Sequence, residues 1–339
     1  MTEPSVLIAG AGLAGLAMAH ALSARGRSFD IVDRGGSPPG AGIFLPANAG
    51  RALAELGVTG VGHPIVRHRV LNRRGRTLVD LPFSAIWGDT GPCVAVRRAD
   101  LHTALSAGIA VRQGVRVRGA RDGLVEFEDR TTRAYDLVVA ADGIHSTLRT
   151  GPPPRPTGLV AWRFLASGVP DHEWTAWQDR DRTFLAISLG GGHAYCYADA
   201  SHPATGDWRD LFADFPDPVP ALARQGEGAH HAPIEQVDPA YSDDPRTVLI
   251  GDAAHAFSPN MAQGAALAFE DALVLADLIE KADVGSYRDR RLPRVTWVRD
   301  QTQRRDHTRH LPPLLRDTVL RVAGQRIIKA QFRPLRGGL

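Results

Sequence analysis

The sequence predicts an α/β protein that combines a Rossmann-type dinucleotide-binding domain, an interleaved antiparallel-sheet domain and C-terminal helices. Three observations lead to this prediction. Continuous apolar segments followed by glycine-containing turns recur at 5–9, 137–141 and 247–250, as is typical of buried parallel strands. Short strand-like segments separated by turn residues occupy 156–245, which favours an antiparallel sheet. The arginine-rich tail beyond Pro293 is amphipathic in places, which indicates a closing helical layer.

The composition excludes several classes of protein. A chain of 339 residues that is 43% hydrophobic can bury one large core or two modest ones. The net charge is only +3 and the basic residues, all but Lys281 and Lys329 arginine, are spread along the chain, so nucleic acid is not an expected partner. Two cysteines are too few for a disulfide framework or a metal cluster. Glycines interrupt the apolar run Val6–Leu22, and we expect a cytoplasmic protein with no membrane or metal partner. The oligomeric state is not predicted.

The N-terminal segment has the pattern of a dinucleotide-binding βαβ unit. The strand Ser5–Ala9 runs directly into the motif GAGLAG, a helical segment follows, and the next strand ends in Asp33. Gly10 permits a tight turn, Gly12 lets a pyrophosphate approach the backbone, and Gly15 lets helix and strand pack closely. Asp33 can accept hydrogen bonds from both ribose hydroxyls. Since an acid there disfavours a 2′-phosphate, FAD or NAD fits better than NADP.

Two later motifs follow further apolar strands. Asp142-Gly143 comes at the carboxyl end of Leu137–Ala141, where ligands of open α/β sheets gather. Gly251-Asp252 follows the third buried strand, and a loop holding Pro259 and Gly264 leads into a long amphipathic helix. Asp252 can reach a ribityl hydroxyl, and the N-terminal N–H groups of the helix can point at an electron-rich ring.

These segments together resemble the single-component FAD-dependent aromatic hydroxylases, the p-hydroxybenzoate and salicylate hydroxylase family. That family has an N-terminal GxGxxG, a mid-chain DG and a late GD motif in this order, and the segment VRRADL at 96–101 is similar to its arginine-before-leucine segment. The resemblance covers Val6 to about Ile279. It implies an extended FAD with adenosine near Asp33 and flavin near Pro259–Gly264, and NAD(P)H that docks transiently without a second Rossmann domain. It also implies that Arg98, rather than Arg97, binds the FAD.

The predicted cofactor-binding residues lie in these four segments. One position departs from the family pattern, because Ala262 stands where many members have glycine in the loop along the flavin. We expect its methyl group to change how the flavin moves, but not to prevent FAD binding. The full predicted set is Gly10, Gly12, Leu13, Ala14, Gly15, Asp33, Arg34, Arg98, Asp142, Gly143, Gly251, Asp252, Pro259, Gln263, Gly264 and Ala265.

The resemblance implies an NAD(P)H- and O2-dependent monooxygenase that hydroxylates an aromatic or polycyclic small molecule. The reduced flavin would form a C4a-hydroperoxide, and the protein would position the ring and exclude water. The arginine-rich composition favours a tailoring enzyme of specialised metabolism, such as antibiotic biosynthesis. Because fold alone does not define function, a non-oxygenating reductase or dehydrogenase of the same fold stays open. A plain NAD-dependent dehydrogenase and a non-catalytic FAD-binding protein stay open too, whereas the halogenases are less similar because the sequence has no WxWxIP segment.

The antiparallel region supplies the candidate catalytic residues. Period-two spacing puts Trp162 and Phe164 on one face of a strand, and likewise Tyr195 and Tyr197. Such aromatics either pack the domain core or line a flat apolar pocket over the flavin. The two tyrosines are candidates for accepting a substrate hydroxyl proton. Arg163 points away from Trp162 and either binds an acidic substrate group or forms a surface ion pair, and we expect the ion pair.

The domain boundaries follow the order of these segments. A proline-rich stretch at 152–156 marks a crossing between domains, and the segment 66–81 is predicted to be a β-hairpin. The predicted division assigns 1–65, 94–155 and 246–285 to the FAD-binding domain, 66–93 and 156–245 to the substrate domain, and 286–339 to the C-terminal helical layer.

Overall fold

The structure is a computed structural model that describes residues 5–36, 41–201 and 206–338. Its strands, numbered in chain order, are β1 (Val6–Ala9), β2 (Phe29–Asp33), β3 (Gly42–Leu45), β4 (His63–Ile65), β5 (Arg67–Asn72), β6 (Thr77–Pro82), β7 (Cys93–Arg97), β8 (Arg112–Gln113), β9 (Val117–Arg121), β10 (Leu124–Phe127), β11 (Thr132–Ala134), β12 (Leu137–Ala140), β13 (Arg155–Ser167), β14 (Glu173–Gln178), β15 (Arg182–Gly190), β16 (His193–Ala200), β17 (His230–Gln236) and β18 (Thr247–Leu249).

The α-helices in the described ranges follow the same numbering. Short 3₁₀ turns lie between several of them, including Trp208–Phe212 and Pro259–Met261. The helices are α1 (Leu13–Ser23), α2 (Ala47–Glu55), α3 (Phe83–Trp87), α4 (Arg98–Ser106), α5 (Val219–Arg224), α6 (Asp252–His255), α7 (Gly264–Glu280), α8 (Tyr287–Arg309) and α9 (Pro313–Phe332).

A five-stranded parallel sheet in the order β18-β12-β1-β2-β8 forms the centre of the Rossmann-type unit. All four residues of β1 and of β12 are buried, as expected for parallel strands covered on both faces. Side chains of α1 and α7, among them Leu16 and Phe269, share one hydrophobic core with this sheet. The structure therefore confirms the predicted βαβ unit and the two later strands that precede the DG and GD motifs.

A smaller antiparallel sheet in the order β11-β10-β9 lies beside the Rossmann-type unit. From the sequence, a small antiparallel unit is expected within 113–127, with turns near Gly119 and at Asp122-Gly123. The second turn is confirmed, but Gly119 lies inside β9 opposite Glu126, so the first turn is wrong. Glycine is tolerated at this point because β9 is an edge strand and its pairing is irregular in the next step.

A seven-stranded sheet in the order β17-β13-β16-β15-β14-β5-β6 forms the second main layer. The hairpin predicted at 66–81 supplies β5 and β6. Three of the strand-like segments within 156–245, namely 159–168, 182–190 and 192–200, form β13, β15 and β16. The sequence did not indicate β14 or β17. Neighbouring strands are antiparallel except for β5 and β14, which run parallel.

The two faces of this sheet have different partners. Trp162 and Phe164 pack with Phe212 in a core under the 3₁₀ turn and α5, so they are core residues and do not line a flavin pocket. Tyr195 and Tyr197 face the other way, into a core that includes Met261 of the flavin loop and side chains of α8 and α9. Both pairs of aromatics therefore pack in hydrophobic cores, and only the core of the tyrosine-bearing face includes a residue of the flavin loop.

The C-terminal helices close the structure over the tyrosine-bearing face. The predicted layer 286–339 contains α8, which begins at Tyr287 and has Pro293 in its interior, and α9. The domain boundaries themselves stay a prediction. No helix within the described ranges combines the length and the apolar character needed to cross a bilayer.

Candidate active site

The N-terminal glycine motif and the DG motif lie together at the carboxyl edge of the parallel sheet. Gly10, Asp33, Arg34 and Asp142 line one cleft with residues of β9 and the turn that follows β12. Because β1, β2 and β12 are adjacent and parallel, their carboxyl ends open onto the same crevice. The sequence placed these residues in separate motifs, and the structure brings them to one site.

Two glycines of the first motif have different tasks. A Cβ atom on Gly15 would overlap the carbonyl oxygen of Gly10, because α1 packs directly against the end of β1. A Cβ atom on Gly12 would meet nothing within 4 Å. Gly12 is exposed at the N-terminal end of α1, so its open side leaves room for a ligand next to free backbone N–H groups.

Asp33 is fixed at the end of β2 by two backbone donors. The N–H of Ala11 donates to its Oδ2 at 2.7 Å, and the N–H of Gly35 donates to its Oδ1 at 2.7 Å. Each carboxylate oxygen keeps a second lone pair for another donor. The carboxylate is therefore held at the crevice in a form that can accept from both hydroxyls of a ribose.

Asp142 has one oxygen that no described residue satisfies. Its Oδ2 accepts from the N–H of Thr147 at 2.9 Å, while its Oδ1 is buried without a hydrogen-bond partner in the described part of the chain. Burial raises the pKa of Asp142. An unpaired carboxylate oxygen facing a crevice is a position where a ligand hydroxyl or phosphate-bound water can donate.

Arg98 begins α4 and is the arginine that turns inward. Arg97 is exposed, whereas Arg98 is half-buried and its Nε has no hydrogen-bond acceptor among the described residues. Burial lowers the pKa of Arg98, and the nearby carboxylate of Asp252 opposes that shift. The structure therefore brings Arg98 and Asp252 close together although they are far apart in the chain.

The GD turn, which follows β18, lies next to the start of α7. Asp252, Pro259 and Gly264 are exposed, and Oδ1 of Asp252 is 4.0 Å from the point where Gly264 would carry a Cβ. Ala262 has φ 51° and ψ 33°, a left-handed conformation that costs an L-residue about 1 kcal/mol and that glycine adopts freely. The first turn of α7 has N–H groups without an intrahelical partner, and these lie beside Asp252.

A buried ionic network holds this loop from behind. Asp271 of α7 is fully buried, and it accepts from the N–H of Gly251 at 2.9 Å, from Nε2 of His255 at 2.7 Å and from Nε of Arg291 at 2.7 Å. Although burial acts to raise it, the charges of His255 and Arg291 hold the pKa of Asp271 well below its ordinary value. His255 therefore has a structural hydrogen bond rather than an exposed position beside the flavin.

The same network reaches the flavin loop through a second carboxylate. Glu270 accepts from Arg294 Nη2 at 2.7 Å and from Asn48 Nδ2 at 3.0 Å. Asn48 Nδ2 also donates to Oε1 of Gln263, the residue before α7, at 2.9 Å. Helix α2, the loop ahead of α7 and helix α8 are thus joined by buried polar contacts.

The tyrosine-bearing face of the seven-stranded sheet carries a second polar chain. The hydroxyl of Tyr197 donates to Oδ2 of Asp199 at 2.9 Å, and Arg309 of α8 donates to Oδ1 of the same carboxylate. Burial, with the neighbouring charge of Asp199, raises the pKa of Tyr197 well above its ordinary value. Tyr197 is consequently protonated at neutral pH and acts as a donor to Asp199.

Arg163 lies among the tyrosines. Its guanidinium carbon is 5.5 Å from the centre of the Tyr197 ring, and its charge opposes the rise that burial causes in the pKa of Tyr195. The expected surface ion pair is wrong for the described residues, where the partner of Arg163 is an aromatic ring. The strand register explains this, since Arg163 is opposite Tyr197 on the face that α8 covers.

A cavity of about 600 Å³ opens between the start of β13, the end of β17 and the last turns of α8. Asp306, in its wall, accepts from Asn260 Nδ2 of the flavin loop at 2.7 Å. Arg309, also in the wall, connects the cavity to Asp199 and Tyr197. The lining comprises Pro156, Thr157, Gly158, Leu159, Ser201, Gln236, Gln303, Asp306, His307, Arg309 and His310.

These residues fit an extended dinucleotide such as FAD. Asp142, with its unpaired Oδ1, lines the crevice, and Gly12 is open to solvent at the end of the neighbouring strand β1. Arg98, with its unpaired Nε, lies near Asp252, which follows β18 of the same sheet and is next to the start of α7. In this arrangement Asp33 would hold the ribose, Gly12 the pyrophosphate and α7 the ring. Leu13, Ala14 and Ala265 contribute mainly backbone, since Ala14 is buried in the core and the other two pack against it.

Sequence reasoning did not identify Asn48, Asp199, Asp271, Arg291 or Arg309. One signal was present, because Glu270 and Asp271 are two acids in the middle of an otherwise apolar helix, and buried acids need partners. Nothing in the sequence indicated that the partners would come from α2 and α8.

Comparisons with known proteins agree with this site. A family model described as FAD binding domain matches residues 220–302, and one described as NAD(P)-binding Rossmann-like domain matches residues 8–59. The aurachin C monooxygenase/isomerase of Stigmatella aurantiaca is 33% identical over 315 residues, which cover 81% of this chain and 80% of the relative. The 2-heptyl-3-hydroxy-4(1H)-quinolone synthase of Pseudomonas aeruginosa is 32% identical, covering 88% of this chain and 87% of the relative.

A third relative and a solved structure extend the comparison. The 3-amino-4-hydroxybenzoate 2-monooxygenase PtnB3 of Streptomyces platensis is 30% identical, covering 91% of this chain and 89% of the relative. The crystal structure of Klebsiella pneumoniae HpxO complexed with FAD and uric acid has a TM-score of 0.87 at 26% identity, covering 98% of this chain and 96% of that one.

The fold and the crevice define a flavoprotein of the hydroxylase class. Relatives at 30% identity or more span most of the chain. The chain belongs to the family of FAD-dependent aromatic monooxygenases. It is an enzyme that uses FAD with NAD(P)H, and the comparisons support oxygen insertion rather than the non-oxygenating alternative.

Replacing Gly12 or Gly15 by alanine should affect different properties of the protein, cofactor binding in one case and stability in the other. Gly12→Ala should keep the melting temperature of the apoprotein but weaken FAD binding roughly tenfold, because its methyl group occupies the phosphate approach. Gly15→Ala should lower the free energy of unfolding by about 1–3 kcal/mol, because its methyl group overlaps Gly10. FAD titration and thermal unfolding of the apoproteins measure both. Wild-type FAD affinity in Gly12→Ala would show that the pyrophosphate lies elsewhere.

Replacing Arg291 by methionine should destabilise the protein strongly. The substitution leaves two buried carboxylates, Asp271 and Glu270, short of their shared cation, which costs about 3–5 kcal/mol. The matched control is Arg290→Met on the same helix, whose 3.7 Å ion pair with Asp277 lies at the surface and contributes less than about 1 kcal/mol. Urea unfolding of both variants measures the difference. Equal losses would mean that the buried network does not stabilise the fold.

Proposed function

We propose that this monooxygenase hydroxylates an electron-rich aromatic ring that carries a hydroxyl group, in the size range of a substituted quinolone. The observation that supports this most directly is the cavity of about 600 Å³ beside the flavin loop, which is larger than a single ring requires. The names of two relatives, one a quinolone synthase and one an aminohydroxybenzoate monooxygenase, indicate ring substrates of this kind. Both point to specialised metabolism, including antibiotic-type biosynthesis.

The cofactor-binding residues of this proposal are those predicted from the motifs. Asp33 binds the adenosine ribose, Gly12 and the start of α1 bind the pyrophosphate, and Arg98 with Asp252 binds the ribityl and phosphate region. Asp142 completes the crevice through its unpaired oxygen. These residues would hold FAD, which would supply the oxygen chemistry: with electrons from NAD(P)H, one atom of O2 would enter the substrate and the other would leave as water.

The protein's own task is to orient the ring and to accept the proton of its hydroxyl. A hydroxylated ring reacts best as its anion, so a nearby acceptor assists. Tyr197 donates its own proton to Asp199, which leaves its hydroxyl oxygen free to accept one from the substrate. The substrate proton moves to Tyr197 as the tyrosine proton moves to Asp199. Asp199 becomes neutral in this step, and the positive charge of Arg309, which it balanced before, then offsets the negative charge of the substrate anion.

Arg163 and Tyr195 occupy the neighbouring positions on the same face. The guanidinium of Arg163 lies 5.5 Å from the Tyr197 ring centre and provides a positive charge for the substrate anion that results. Tyr195 packs against Gly42 of β3, where a Cβ atom would lie 2.6 Å from its side chain, and its hydroxyl is the second candidate proton acceptor, close to Arg163 and Arg98.

The cellular location and the domain division are part of the same proposal. A cytoplasmic enzyme has NAD(P)H available, and both cysteines, Cys93 and Cys196, are free and buried, as suits a reducing compartment. The division into an FAD-binding domain, a substrate domain and a helical layer follows the separation between the parallel sheet and the seven-stranded sheet.

Substituting Tyr197 by phenylalanine should lower kcat/KM about 100-fold at neutral pH while FAD binding is unchanged. The loss should shrink at a pH above the pKa of the substrate hydroxyl, because a substrate already ionised needs no acceptor. The measurement is substrate-stimulated NAD(P)H oxidation, with product detection, over a panel of hydroxyquinolines and hydroxybenzoates.

The matched control is Tyr135→Phe, because Tyr135 also donates to a carboxylate, Asp30 at 2.8 Å, but lies away from the cavity. Its turnover should equal that of the wild type. A panel in which no ring compound stimulates NAD(P)H oxidation would contradict the substrate class, and wild-type kcat/KM in Tyr197→Phe would contradict the proton path.

A further inference from the structure

Helix α9 exposes an apolar surface. We call Leu314, Leu315, Val319 and Val322 the α9 stripe, and the first and last of these side chains are 86% and 82% exposed. Single exposed apolar residues are ordinary on protein surfaces. Here, however, five of the eight large apolar side chains that are exposed in the described ranges belong to α9, the fifth being Ile327.

The spacing of the stripe places it on one side of the helix. Leu315, Val319 and Val322 follow one another at intervals of four and three residues, so they are neighbours along one face. Leu314 lies beside them in the first turn. The result is a continuous strip of apolar surface rather than scattered side chains.

The charges around the stripe have one sign. Arg321, Arg326 and Lys329 are exposed on the same helix. The only acid within α9 is Asp317, which is turned inward, where its Oδ2 accepts from Nδ2 of Asn72 at 2.7 Å. An apolar strip flanked by cations alone is the surface pattern of a helix that lies in the interface of an anionic membrane.

The opposite side of α9 is anchored, so the helix cannot turn to bury the stripe. Nη1 of Arg316 donates to the carbonyl oxygen of Asp179 at 2.7 Å. Gly324 packs so closely on Val79 that a Cβ atom there would lie 2.7 Å from its side chain. The ring of Phe332 packs at a tilt against that of Trp87, with ring centres 5.2 Å apart. The exposed face is therefore a fixed feature of the fold.

We propose that the α9 stripe and its three cations dock the enzyme peripherally on an anionic lipid bilayer. This proposal revises the expectation of no membrane partner, which was based on the lack of a segment long and apolar enough to span a bilayer. It rests on the proposed function in one respect, since a substituted quinolone partitions into lipid. The stripe is also close to the cavity, because His307 and His310 in its wall directly precede the turn into α9.

A second copy of the chain fits the same surface less well. Pairing two α9 stripes would bring Arg321, Arg326 and Lys329 of one copy against those of the other, with no exposed acid on either helix to balance them. Lipid phosphates supply the missing negative charge, and acyl chains cover the apolar strip.

The test is co-sedimentation of the FAD-loaded enzyme with vesicles of phosphatidylcholine alone or with one-third phosphatidylglycerol. The wild type should bind the anionic vesicles and release them at high salt. Leu315→Ser/Val322→Ser should abolish binding, and Arg321→Gln/Arg326→Gln/Lys329→Gln should weaken it by about fivefold per cation. The matched controls are Val66→Ser/Leu124→Ser, of similar exposure elsewhere, and Arg74→Gln/Arg112→Gln/Arg121→Gln, of equal charge change.

Binding that the control variants lose to the same extent would overturn the proposal, as would no binding by the wild type. A dimer in solution that Leu315→Ser/Val322→Ser dissolves, without vesicle binding, would assign the stripe to a second copy instead. Turnover of a water-soluble ring substrate without vesicles is measured on every variant. Because it does not depend on docking, it distinguishes a failure of this proposal from a failure of the proposed function.

Discussion

The buried carboxylate of Asp271 is the constraint on which the active-site region depends. It binds the backbone N–H of the GD turn, the ring of His255 and the guanidinium of Arg291, all without access to solvent. Next to it, Glu270 binds Arg294 and Asn48, and Asn48 binds Gln263 of the flavin loop. Removing charges from water is costly, so such a network is stable only when every partner is present. It therefore requires α2, α7 and α8 to meet in one arrangement.

That arrangement determines where the functional groups lie. Because Gly251 and Gln263 are held from behind, Asp252 is fixed next to the first turn of α7 and near Arg98. Asp33 and Asp142 line the cleft at the ends of other strands of the same parallel sheet. On the other side of the loop, α8 contributes Asp306 and Arg309 to the cavity wall. The flavin loop is thus tied to α2 through Gln263 and to the cavity wall through Asn260 and Asp306. Arg309 joins that wall to Asp199 and Tyr197 of the seven-stranded sheet.

The sequence alone located the strands and helices that carry the cofactor motifs, but not the contacts that hold them or the arrangement of the second sheet. Glycine motifs report local backbone requirements, so β1, α1, β12 and α7 could be located from spacing. Contacts such as Asn48 with Glu270 join residues 222 positions apart, and no local pattern encodes them. The strand β14 was missed because it is only six residues long, EWTAWQ, with polar residues at both ends, so it has neither a continuous apolar run nor a clear alternation. Arg163 was expected at the surface because the covering helix α8 was not foreseen in that position.

Oxygen insertion is tested most directly by following the atoms of molecular oxygen into the product. The FAD-loaded enzyme is supplied with NAD(P)H and ¹⁸O₂ in ordinary water, together with the hydroxylated ring compound that stimulates turnover most, and the product is analysed by mass spectrometry. A monooxygenase should place one ¹⁸O atom in each product molecule and form one product molecule for each NAD(P)H consumed. Consumption of NAD(P)H that yields only hydrogen peroxide and an unlabelled ring, for every compound of the panel, would contradict it.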